Sequence, residues 1–202
     1  YRKRILKENI NERCRLCKTS SETIWDIISG CPTLALHEYI VRHDKICSRI
    51  HYQICQSYGF KVVNKWYEHK PKNVESNSEA TILWNIMVHT DRTVPNNKPD
   101  IFIKDKKKRV GYIIDVAIPN DNNIPKKQAE KFLKYKTLQI ETERLWDMKI
   151  KIIPVIIGAT GTIGQDCRTL LEQIPGCSGN NLLSKLQETT IIKTCHIVRK
   201  IL

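Results

Sequence analysis

Two aspartates, Asp100 and Asp115, are the residues of this 202-residue chain best placed to do chemistry. They sit within residues 97–119, which read as two β-strands joined by a tight basic turn. Ile101, Phe102 and Ile103 lead in, and Val110, Tyr112, Ile113, Ile114 and Val116 lead out. All are β-branched or aromatic, and the run between them is charged. A two-residue turn at Lys107-Lys108 sets Lys106 against Arg109, Phe102 against Ile113 and Asp100 against Asp115. The two carboxylates become cross-strand neighbours, with Cβ atoms about 5 Å apart, an arrangement that destabilises a sheet. It persists where the pair shares a proton, meets a strong cation or holds a divalent metal ion.

Thiols and imidazoles offer further chemistry. Cys14 and Cys17 form a C-x2-C, with Cys31 thirteen intervening residues further on. Such a knuckle supplies two thiolates from one turn, and zinc needs two more ligands to complete a tetrahedron. His43, Cys47, His51 and Cys55 recur every fourth residue. They read as one stripe of a long helix, where His and Cys pack or hydrogen-bond. Arg42, Lys45 and Arg49 lie on its other side, available to phosphate. In KWYEHKPKN, aromatics interleave with bases, which suits stacking and phosphate contact on nucleic acid or, equally, a loop anchored by a core Trp66. The GATGTIG string lacks the spacing and Lys-Ser/Thr of a phosphate-binding loop, and reads as a strand-to-helix turn.

The elements that must position these residues follow from periodicity. Helical apolar spacing over 33–58 runs through Leu36, Ile40, Ile46 or Cys47, Ile50 and Ile54 and closes at Gly59. Residues 74–80 read as a turn or linker, and 82–89 as a strand. A long helix starts near Pro125 and runs to about 148, with Ala129, Phe132, Leu133, Leu138, Ile140, Leu145 and Trp146 on its apolar side. Residues 149–157 are a continuous β-branched run, the pattern of a buried strand. Helices over 165–174 and 181–199 finish the chain around Pro175-Gly176.

The formal net charge of +13 calls for an anionic partner, and nucleic acid is the leading candidate. No long apolar run or basic amphipathic helix supports a membrane partner. The eight cysteines are not spaced like a secreted disulfide framework, so reduced thiols and a cytosolic or nuclear setting are expected.

Pro99-Asp100, fourteen residues, then Asp115 resembles the metal-binding half of the PD-(D/E)XK nuclease superfamily. The wider ordered set, TDRTVPNNKPDIFIKD, IIDVAIPNDNNIPKKQAEKFLKY and KIIPVIIGATG, resembles one family within it. That family is the restriction-like endonuclease domain at the C-terminal end of non-LTR retrotransposon polyproteins of the ribosomal-DNA-inserting type. The resemblance runs from about Cys14 to Leu202. It implies an α/β fold, a mixed central sheet flanked by helices, behind a small N-terminal zinc knuckle and helix. The expected divisions are 1–32 for the knuckle, 33–80 for a helix and linker, and 81–202 for the endonuclease domain. The start of the chain reads as a cut inside a longer protein, with a reverse transcriptase upstream.

The resemblance also implies site residues. Asp100 and Asp115 would hold Mg²⁺ or Mn²⁺. The superfamily's usual lysine, two residues after the second acid, is Ala117 here. The family resembled takes its lysine from the following helix, which offers Lys131, Lys134 and Tyr135. Lys131 and Tyr135 share a helix face, and Lys131 is the first choice as the charge that stabilises the attacking water or leaving oxygen. Arg92, Lys98, Lys107, Lys108 and Lys127 are the expected nucleic-acid contacts. In the knuckle, the family's histidine position is Asp26, so zinc would be held by Cys14, Cys17, Asp26 and Cys31, with His37 as the alternative fourth ligand. A knuckle that has lost its ion, its cysteines merely buried, is the other reading. Asn85 stands where the family tends to have aspartate. The implied function is a nuclear endonuclease that nicks target DNA so that the freed 3′ end primes reverse transcription. Its partners would be the DNA target, the element's RNA and the upstream reverse transcriptase domain. The rival is a catalytically inactive DNA- or RNA-binding module that positions the target for another domain.

Overall fold

The computed structural model describes residues 5–6 and 12–201. A knuckle with a wide helical turn at Asp26–Gly30 leads into two helices, α1 (Pro32–Ala35) and α2 (Glu38–Ser57). Strands β1 (Val74–Ser76), β2 (Ala80–Trp84), β3 (Ile101–Asp105) and β4 (Val110–Ala117) follow. Helix α3 (Ile124–Trp146) then crosses to β5 (Lys149–Ile156), and α4 (Cys167–Glu172) and α5 (Asn180–Ile201) close the chain. The five strands form one mixed sheet in the order β1-β2-β3-β4-β5. The first three pairings are antiparallel and β4 pairs with β5 in parallel, as a helical crossover between neighbouring strands requires.

The β3–β4 hairpin pairs Phe102 with Ile113 and Ile101 with Ile114, the register expected from a turn centred on Lys107-Lys108. Its last pair is Asp105 with Val110. The Asp105 side chain accepts from the backbone N–H of Lys108 at 2.8 Å, and Arg109 takes a left-handed φ of 53°. Alternation along the strands then sorts the core. Ile101, Ile103, Tyr112, Ile114 and Val116 face a layer that includes Ile46, Ile50 and Ile54 of α2 and Leu183 and Leu186 of α5. Phe102 and Ile113 face the other way, onto Tyr135 and Leu138 of α3. Asp115, two residues after Ile113, points to the α3 side by the same period-2 rule.

Four expectations change. The helix expected over 33–58 is broken at His37, whose φ of −141° is not helical, so Leu36 and Ile40 are exposed rather than core. Residues 74–76 are an edge strand paired with β2, not linker. The strand expected over 82–89 stops at Trp84 because Asn85 turns left-handed (φ 49°), a conformation asparagine tolerates. On α3 the buried face is Ile124, Tyr135, Leu138, Glu141 and Thr142, whereas Leu133 and Ile140 lie in solvent. The helix presents to the sheet the face that meets Asp115, at the expense of its more apolar one.

The knuckle is joined to the body of the protein. Cys14, Ile27, Ile28, Cys31 and Leu34 share an apolar cluster with Ala159 after β5 and Ile197 of α5.

Candidate metal centre and lysine-lined cleft

Asp115 lies near the C-terminal end of β4 and is 3% exposed. Across from it on α3, Lys131 and Tyr135 stand one turn apart, and both touch its carboxylate. The Lys131 ammonium meets Oδ2 and the Tyr135 hydroxyl donates to Oδ1. Lys134 approaches Oδ1 at 3.5 Å. Tyr135 is fully buried; burial and the adjacent Asp115 charge push its hydroxyl well above the ordinary phenolic range. It therefore stays protonated, a fixed donor to Asp115 that also reaches the carbonyl oxygen of Lys98 at 3.2 Å.

Asp100 immediately precedes β3, one step beyond the Ile101–Ile114 pair. Its Oδ2 accepts from the backbone N–H of Val116 at 2.7 Å and contacts Nε2 of His43 at 3.0 Å. Burial pushes the Asp100 carboxyl up, but His43, the Val116 N–H and the nearby Lys131 outweigh it and hold it below the usual carboxylate range. His43 responds in kind: burial lowers it, while Asp100 and Cys47 lift it to about 12. Each carboxylate is thus met by a cation on the protein, Lys131 at Asp115 and His43 at Asp100.

Among the described residues, three groups bring metal-ligating atoms within 4.8 Å of one another. One is Cys14, Cys17, Asp26 and Cys31; the second is His43, Cys47 and Asp100; the third is His51, Cys55 and His69.

The first group is the knuckle. Cys14 Sγ and Cys31 Sγ are 3.8 Å apart. With Zn–S bonds of about 2.3 Å, the edge of a tetrahedron is about 3.8 Å. The wide turn aims Asp26 inward, held where Tyr39 donates to the carbonyls of Asp26 and Ile27, both at 2.9 Å. Ser20 donates to Asp26 Oδ1, while Oδ2 is buried without a hydrogen-bond partner. The Thr19 hydroxyl, with backbone groups of Ser20 and Thr19, pulls the Cys17 thiol down to about 6, while the neighbouring Cys14 thiol is pushed up to about 11. These residues fit a tetrahedral ion. His37, the alternative ligand, is displaced from it: its side chain is 75% exposed and pairs with Glu38.

At the aspartates, Asp115 Oδ2 is buried and in ionic contact with Lys131 without receiving a well-formed hydrogen bond. An oxygen held that way can accept a hard cation, and two carboxylates plus water are the donor set such an ion takes. The third group explains itself without an ion, since His51 Nδ1 and His69 Nε2 hydrogen-bond at 2.8 Å inside the core. Burial, and then His69, push His51 down to about 3.

Beside the aspartates runs a cleft of about 640 Å³ between the knuckle turn and α3. Lys126, Lys127 and Lys131 line one wall, Trp25 and Asp26 the other, and Ala117 to Asn120 the floor. Lys127 pairs with Glu130 at 2.6 Å on that wall. Arg92 is drawn toward Glu141 at 3.6 Å, and Lys98 enters the site through its carbonyl. Lys107 and Lys108 lie at the opposite end of the hairpin, Lys107 paired with Glu79, and line a different pocket. Five residues of strand, about 17 Å, separate them from the aspartates.

His43 is the residue that sequence reasoning missed. Its stripe divides in space: His43 and Cys47 turn toward Asp100, and His51 and Cys55 toward His69. The four-residue spacing was visible, but the two partners come from 57 and 18 residues away.

No protein-family model matches the chain, and comparison with curated proteins finds no match.

Proposed function

We propose that the chain is a divalent-metal-dependent endodeoxyribonuclease of the PD-(D/E)XK kind. The observation that carries this reading is the convergence of Lys131 and Tyr135 on Asp115, beside Asp100, at a lysine-lined cleft. Mg²⁺ or Mn²⁺ at Asp100 and Asp115 would supply a water of lowered pKa and neutralise charge on the scissile phosphate. The protein's own residues do the rest. Tyr135 fixes the orientation of Asp115, and the Val116 N–H fixes that of Asp100. Lys131 brings a positive charge to the phosphate or the leaving oxygen, with Lys134 behind it. Lys126 and Lys127 attract the phosphodiester backbone along the cleft, with Lys98 and Arg92 as outer anchors.

The knuckle ion is assigned as zinc, held by Cys14, Cys17, Asp26 and Cys31. Following the resemblance, the reaction is the nick in nuclear target DNA that primes reverse transcription. The element RNA and the polymerase domain of the same polyprotein are the partners. A binding module without catalysis is the second reading, favoured by one observation: His43 and Lys131 already neutralise both carboxylates without an ion.

Supercoiled plasmid separates the two. The purified chain at low salt, with Mg²⁺, Mn²⁺ or chelator, is compared with Asp100→Ala and Asp115→Ala. Nicking that needs the ion and disappears in both variants is the expected result. Binding without nicking in either metal moves the assignment to the binding module.

A further inference from the structure

We propose that His43 is a direct ligand of the divalent ion at Asp100, so that the site favours nitrogen-accepting ions such as Mn²⁺ and Co²⁺ over Mg²⁺. The inference rests on the nuclease reading of the two aspartates and adds a ligand from a third element, α2. His43 is set between two carboxylates. Its Nδ1 is 3.0 Å from Asp44 Oδ1 and its Nε2 is 3.0 Å from Asp100 Oδ2. Without an ion both ring nitrogens donate to carboxylates; an ion at Asp100 would take the place of the Nε2 proton, which leaves to solvent, while Nδ1–H stays on Asp44, and that is the arrangement of a metal-ligating histidine. The ring is anchored rather than free. It is about a quarter exposed (28%), α2 packs into the main core through Ile46, Cys47 and Ile50, and the Cys47 sulfur lies 3.6 Å from Nε2. Imidazole nitrogen and a buried sulfur nearby make a softer environment than the carboxylates and water that Mg²⁺ prefers. His51 and His69 differ: they spend their facing nitrogens on each other, and among the described residues no carboxylate accepts from either ring.

The test uses the full chain with the knuckle saturated with zinc and Mn²⁺ added to substoichiometric level. Pulsed EPR reads whether ¹⁴N nuclei couple to the bound Mn²⁺, independently of any DNA cleavage. The expected result is ¹⁴N modulation in the wild type that disappears in His43→Gln, with Mn²⁺ affinity lowered more than about tenfold. Asp44→Asn should retain the modulation and weaken binding by about tenfold, the usual effect of removing a ligand's carboxylate partner. Mn²⁺ that binds, is lost in Asp100→Ala, and shows no ¹⁴N modulation in the wild type overturns the inference and leaves the nuclease reading standing. Absence of any Asp100-dependent Mn²⁺ binding overturns both. The wild-type spectrum decides the matter even if a variant folds poorly.

Discussion

Lys131→Met tests whether the lysine and a divalent ion compete for one carboxylate oxygen. In the ion-free protein the Lys131 ammonium is the charge that meets Asp115 Oδ2. Removing one partner of a fully buried ion pair costs about 3–5 kcal/mol. Here the Asp115 side chain is 4% exposed but Lys131 is 18% exposed and opens on the cleft, while Tyr135 and Lys134 still hold Oδ1. Solvent and those two partners bring the expected loss to about 2–3 kcal/mol. For a chain of this size that lowers the melting midpoint by about 4–12 °C. Methionine keeps the length of the stem, so packing contributes little. Mn²⁺ then acts in opposite proportion. At a hundred times its dissociation constant a ligand stabilises by about 2.7 kcal/mol. Without Lys131 in its place the ion binds more tightly, so a fixed Mn²⁺ concentration should raise the midpoint further in Lys131→Met than in wild type. Nicking should nonetheless fall, because the charge on the phosphate is gone. Thermal unfolding of zinc-loaded protein, with and without Mn²⁺, measures both arms. Equal Mn²⁺-induced shifts in the two proteins would refute the competition, and with it the view that Asp115 Oδ2 is an ion ligand.

Three further outcomes follow from the same geometry. Asp26→Asn should lose zinc to a competing chelator sooner than wild type, since the buried Oδ2 becomes a weaker donor; Asp26→His should hold it at least as well. Burial and then His69 push His51 down to about 3, against 6.5 for the free side chain, so the folded protein keeps it neutral while the unfolded chain takes up a proton below pH 6.5, and stability falls as pH drops below that value. The loss is about 2 kcal/mol between pH 6.5 and 5, read by urea unfolding, and an unchanged acid sensitivity in His51→Leu would contradict it. Lys126→Gln with Lys127→Gln should reduce the salt dependence of DNA binding by about two phosphate contacts, measured as the slope of log affinity against log salt; an unchanged slope would remove the cleft wall from the DNA path.

Much of the site was legible because its parts are local. Cys14, Cys17, Asp26 and Cys31 lie within one short stretch, so a turn and a helical bend are enough to gather them. The hairpin register depends on turn length and on alternating β-branched residues, both visible between Ile101 and Val116. Lys131 and Tyr135 share a face through helix geometry alone. Apolar content was a poorer guide. Leu36, Leu133 and Ile140 read as core but lie in solvent, because which helix face is buried depends on what the sheet presents to it. The edge strand Val74–Ser76 carries only exposed and half-buried residues, so it had no alternation to betray it, and pairing with β2 alone makes it a strand.

By itself, then, the sequence determined the mixed α/β character, the hairpin with its two acids at one end, and the cysteine knuckle, since each follows from propensity or short-range spacing. Only the tertiary structure decided which groups meet those acids. It places α2 so that His43 reaches Asp100 across 57 residues of chain, and α3 so that the face carrying Lys131, Tyr135 and Leu138, rather than the one carrying Leu133 and Ile140, covers Asp115. The physical reason is that a side chain's charge and hydrogen-bonding partners are set by the packing of whole elements, and no local periodicity records what stands on the far side of the gap.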